Sequence, residues 1–60
     1  MKILPGMILR YRLGVDYFIV LSSIEHERSW CLDILRSDGK LIDKYEINKK
    51  HYRDVWTVVA

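Results

Sequence analysis

The sequence predicts an all-β domain of five short strands, and three observations carry that prediction. Residues 7–13, "MILRYRL", put Met7, Leu9, Tyr11 and Leu13 on one parity and Ile8, Arg10 and Arg12 on the other. Period-two alternation of this kind is the signature of a half-buried strand. Residues 30–47 hold two more extended segments around "SDGK", whose Asp38-Gly39 pair is the strongest hairpin signal in the chain. No window sustains an i, i+3, i+4 apolar stripe, so no helix of about ten residues or more is supported.

The elements follow in order. Pro5-Gly6 is a turn signal that introduces the first strand, and residues 14–16 form a short turn after it. "YFIVLSSI", residues 17–24, is nearly continuous in apolar residues from Tyr17 to Leu21. Such a run is either a central strand covered on both faces or one that bends, so that its halves face the core differently. "EHERS", residues 25–29, breaks the pattern with charge and reads as a loop. Trp30, Leu32 and Ile34 then alternate with Cys31, Asp33 and Leu35 in a third strand. Asp38-Gly39 predicts a type I′ turn, with positive φ at both residues.

The fourth strand, "KLIDKYEI", alternates less cleanly. "NKKHYRD", residues 48–54, suits one helical turn with Asn48 as its N-cap. "VWTVV" is the last strand. The expected core is Leu9, Phe18, Val20, Trp30, Leu32, Ile34, Leu41, Val55 and Val58, with Tyr11 and Ile47 at its rim.

Sixty residues make one domain, spanning 1–60. A chain this short buries only about 60% of the surface it exposes when unfolded, so its core must be dense. Half of the residues are apolar or aromatic, including two Trp and four Tyr. Cys31 is the only cysteine, which excludes an internal disulfide, and it forms no ligand spacing with His26 or His51. No metal site and no cofactor are therefore expected. The lone thiol suits a reducing, cytoplasmic setting. No apolar run approaches the roughly 20 residues of a membrane span, so no membrane contact is expected.

Five short strands can wrap into a small, bent barrel that hides most strand edges. The order of strand, longer loop, strand, strand, tight hairpin, strand, helical turn and strand resembles the SH3-like small barrel from Pro5 to Val59. The closest local match is "NKKHYRDVW", where such barrels place a short turn before strand five. The chain departs from the proline-rich-peptide binders of that group. "LGVDYF" stands in a different place from their early "ALYDY"-like run, "SWC" replaces a Trp-Trp pair, and only Asn48 and Tyr52 resemble their last motif. The resemblance thus implies the barrel and not the polyproline groove. Related KOW and Tudor barrels bind nucleic acids, ribosomal components or methylated side chains, and none of their signatures is complete here.

The residues bear on three function classes. For catalysis, a Cys-His pair would need Cys31 within reach of His26 or His51, but a strand Cys between Trp30 and Leu32 reads as a small hydrophobe. The domain is expected not to be an enzyme. For nucleic acid, Arg10 and Arg12 with the later cluster of Lys40, Lys44, Lys49, Lys50 and Arg53 could line a basic groove, with Tyr17, Tyr45, Tyr52 and Trp56 as stacking platforms. The net charge of +2 and the interleaved acids weaken that field.

The favoured expectation is a small, non-catalytic binding module. It would act as an adaptor or accessory protein through protein–protein contacts or self-association, because Trp and Tyr left partly exposed anchor interfaces. A nucleic-acid-binding barrel is the second reading. Arg10, Arg12, Tyr17, Lys49, Lys50, His51 and Tyr52 are the candidate contact residues. The size would suit a phage or mobile-element gene.

Overall fold

In the computed structural model, which describes residues 2–60, the alternating N-terminal segment forms β1 (Ile8–Tyr11). It is followed by β2 (Tyr17–Glu25), β3 (Ser29–Arg36) and β4 (Leu41–Asn48). A single helical turn, α1 (Tyr52–Val55), then leads directly into β5 (Trp56–Val58). The strands form one antiparallel sheet in the order β4-β3-β2-β1-β5. The domain is therefore all-β, with five strands and one short helix before the last, as the sequence predicts. Among the described residues, no helix is long and apolar enough to cross a membrane.

The sheet is not a closed barrel, which corrects the expectation of closure. β4 and β5 are its two edges, and no ladder joins them. β5 is three residues long, and its register is taken up by β1: Leu9 faces Val58, Arg10 faces Thr57 and Tyr11 faces Trp56. Side chains occupy the seam instead. Tyr45 of β4 meets Trp56 of β5 edge to face, with ring centroids 6.0 Å apart.

The inner face of the bent sheet carries the core: Ile3, Leu9, Phe18, Val20, Trp30, Leu32, Ile34, Ile47, Tyr52 and Trp56. Trp56 sits among rings, with Phe18 at 5.1 Å and Tyr11 at 5.4 Å, both edge to face. Val55, Val58 and Tyr11 are half-buried against this cluster. Ile47 belongs to the core rather than the rim, and Leu41, expected inside, is 58% exposed.

A β-bulge explains Leu41. Leu32 pairs with Tyr45 but Ile34 pairs with Ile42, so Asp33 faces both Asp43 and Lys44. The extra residue reverses which parity points inward. Ile42 packs on the core before the bulge, Ile47 is buried after it, and Leu41 turns outward. Lys44 absorbs the kink at φ 54°, the only positive φ at a non-glycine among the described residues.

A second bulge lies on the other side of Asp33. Val20 pairs with Ile34 and Ser22 with Asp33, which leaves Leu21 unpaired. β2 therefore bends, and its outer face stays open rather than covered: Ile19 is 41% and Leu21 46% exposed. Asp33 satisfies both irregularities, accepting hydrogen bonds from the Ser22 hydroxyl at 2.8 Å and the Lys44 N–H at 3.1 Å.

Two local expectations also change. The β3–β4 turn has positive φ at Gly39 only, not at Asp38. The Gly39 N–H donates to the Arg36 carbonyl and the Arg36 N–H to the Lys40 carbonyl, each at 2.8 Å. This is the three-residue loop that ends in a G1 bulge, in place of a type I′ turn. Asn48 does not cap the helix. His51 holds that position without a side-chain bond, while Asn48 Oδ1 accepts the Lys50 N–H at 2.8 Å and shapes the preceding turn.

Candidate functional site: an outer apolar row and a basic cleft

The strand registers align apolar residues across the outer face. Ile8 pairs with Ile19, Ile19 with Leu35, and Leu35 with Leu41. The Val59 N–H donates to the Ile8 carbonyl at 2.8 Å, so Val59 extends the line past β5. The result is one unbroken row, Val59–Ile8–Ile19–Leu35–Leu41, that crosses all five strand positions. Val59, Ile19 and Leu41 are exposed, and Ile8 and Leu35 are half-buried. Leu21, on the same outward parity as Ile19, adds to the row beside Asp33 and Asp43.

Arg10 and Tyr17 face each other next to this row, both exposed. Among the sequence-predicted contact residues, these two join the outer face. Ile19, Leu41 and Val59 are surface residues that were not among the predicted contacts, and Leu41 was expected in the core. Each has the wrong hydropathy for its exposure, and only the registers reveal that they line up.

Of the other predicted contacts, Lys49, Lys50 and Tyr52 gather at the far end. The Lys49 N–H donates to the Arg28 carbonyl at 2.9 Å, tying the turn after β4 to the loop between β2 and β3. Between them lies an open cleft of about 470 Å³ lined by Glu25, Trp30, Lys49, Lys50, Tyr52 and Arg53. The Lys49 ammonium donates to Glu25 Oε2 at 2.7 Å and stands 5.3 Å over the Trp30 ring. That pairing holds the Glu25 carboxyl below its ordinary value.

Beneath Lys49, Trp30 and Tyr52 meet edge to face at 5.3 Å. Tyr52, offered by the sequence as a contact or stacking ring, is 4% exposed and belongs to the core, as does Trp56. Of the candidate platforms, only Tyr17 and Tyr45 are open to solvent. Burial pushes the Tyr52 hydroxyl up, against the pull of Arg53, so it is protonated at neutral pH. Among the described residues, neither the Tyr52 hydroxyl nor the Trp30 indole Nε1 has a hydrogen-bond partner, although both atoms are buried.

His51 is exposed beside Tyr45 and Val55. Arg12 lies in a separate shallow cleft with Arg53 and Thr57. Cys31 is half-buried on the outer face, in register between Ile24 and Glu46. No group of three His, Cys, Asp or Glu side chains is placed to hold a metal ion among the described residues.

Compared with known protein families, with curated proteins and with solved structures, the chain matches none.

Proposed function

We propose that this protein is a small non-catalytic binding module that works through protein–protein contact, including pairing with a second copy, at its outer sheet face. The observation that carries this reading is the row Val59–Ile8–Ile19–Leu35–Leu41, aligned across the sheet with Val59, Ile19 and Leu41 exposed and Ile8 and Leu35 half-buried. Single exposed apolar residues are ordinary, but a contiguous patch marks an interaction surface. Arg10 and Tyr17 on its flank are residue types that anchor interfaces. The bent five-stranded sheet in this reading serves as a scaffold of the SH3-like kind, used on its convex side.

The test replaces Ile19 or Leu41 by Lys, which changes the face without touching the core. Sedimentation equilibrium of the wild-type chain should show concentration-dependent association that Ile19→Lys and Leu41→Lys abolish. For a foreign partner, the same substitutions should remove a species that wild-type bait retains from a host extract. A monomeric wild-type chain whose captured proteins are identical to those of both variants would reject the reading.

A further inference from the structure

The cleft at the opposite end of the molecule has a chemistry of its own. Its charged lining is mostly cationic, the ammoniums of Lys49 and Lys50 and the Arg53 guanidinium, and Trp30 and Tyr52 complete the wall. Lysine, arginine and tryptophan side chains have no acceptor to offer. The single carboxylate is Glu25, and it is already engaged with Lys49 at 2.7 Å. Trp30 Nε1 and the Tyr52 hydroxyl, on two residues of this wall, are buried and without partners among the described residues. Buried polar groups are overwhelmingly paired, so two orphaned donors on the residues of one small cleft mark its wall as polar beyond what the fold itself uses.

The position of Glu25 follows from the backbone. Beyond the Leu21 bulge the parity of β2 is reversed, and Glu25 comes opposite Trp30 on the core-facing side. Its carboxylate lies where an incoming anion would also meet Lys49, itself poised over the Trp30 ring. A group with several acceptor oxygens and no donor could take Lys49 from Glu25 and also serve Lys50 and Arg53. A tetrahedral oxyanion has that character, and a single carboxylate has too few oxygens for so many donors.

We propose that this cleft binds a phosphate group, with Glu25 as a built-in competitor that holds Lys49 until the phosphate displaces it. The inference is independent of the outer-face reading, because the two surfaces share no residue. The phosphate can belong to a free phosphate or phosphomonoester, or to a nucleic-acid backbone.

The experiment titrates the isotopically labelled chain with inorganic phosphate at constant ionic strength, adjusted with sodium chloride. The indole N–H of Trp30, assigned through its contacts to Tyr52, should shift and saturate. Glu25→Gln should tighten binding several-fold, and Lys49→Gln should weaken it about tenfold, the effect of one charge-assisted hydrogen bond. Both changes are at the surface, and the same spectra report whether each variant is folded.

A parallel titration with an oligothymidylate separates the sources. Saturation of the same indole at far lower concentration identifies a nucleic-acid backbone. Binding of inorganic phosphate at least as tight identifies a free phosphate or monoester. A linear, unsaturated response to both probes overturns the proposal, and so does saturation that neither Glu25→Gln nor Lys49→Gln alters.

Discussion

Tyr45 and Trp56 meet edge to face, with centroids 6.0 Å apart and planes at 82°, across the seam between the two edges of the sheet. No backbone ladder crosses that line, so this pair ties β4 to β5 where hydrogen bonds do not. Trp56 also holds Phe18 and Tyr11, which makes it the hub of the inner face.

A double-mutant cycle between Tyr45→Ala and Trp56→Phe should therefore return a coupling of about 0.5–1.5 kcal/mol beyond simple burial. Urea unfolding followed by circular dichroism measures it. Trp56→Ala alone should cost about 3–5 kcal/mol, enough to unfold much of so small a domain. A coupling of zero would mean that the seam is held elsewhere.

Gly39 has a φ of 90°, and a Cβ built there meets nothing within 4 Å. Any loss on substitution is thus conformational rather than steric against neighbours. Gly39→Val should destabilise by more than about 1 kcal/mol, because a β-branched residue is strained at positive φ. An unchanged melting temperature would contradict the turn geometry.

Lys44 is the opposite case, a long side chain held at φ 54° inside the β4 bulge. Here Lys44→Gly should raise stability by up to about 1 kcal/mol, since glycine adopts that conformation without the penalty. Lys44→Val should lower it. The comparison of these two melting temperatures checks the bulge independently of Asp33.

Acid should weaken the fold through three carboxylates. Asp38 is held down to about 2, first by the Arg36 guanidinium and then by the Lys40 N–H. The Ser22 hydroxyl and the Lys44 N–H lower Asp33, and Lys49 lowers Glu25. For each group the folded value lies below the unfolded one, so its contribution is complete above the ordinary carboxylate range. It is lost as pH falls from about 4 toward 2. Melting temperatures recorded across that interval should drop, and Asp38→Asn should flatten the slope.

Much of this architecture was legible in the residues, and the failures share a cause. Leu9, Phe18, Val20, Trp30, Leu32 and Ile34 were all readable as core, because their strands alternate without interruption where they lie. Leu41 was not, since one extra residue at Asp43–Lys44 exchanges the two faces of β4, and no turn residue announces it. Ile3 was overlooked because it precedes the Pro5-Gly6 turn. The Gly6 N–H donates to the Val20 carbonyl at 2.8 Å, which draws that segment along β2 and buries Ile3.

The candidate surfaces were half visible. Lys49, Lys50 and Tyr52 stand close together in the chain and are legible there as basic and aromatic neighbours, but Glu25 and Trp30 come from a strand pair far away in sequence. The outer row could not be read at all, because it runs perpendicular to the chain through three strand registers and the Val59–Ile8 hydrogen bond.

The kink at Lys44 also bears on what this molecule avoids. β4 is the long exposed border of the sheet, the sort of open template on which chains can zip together into amyloid. A left-handed residue at its middle, flanked by Asp43 and Glu46, denies an incoming segment the straight, uncharged run that fibril growth requires. Straightening this strand while neutralising those charges would remove the guard, and thioflavin fluorescence of such a variant would rise where that of the natural chain stays flat.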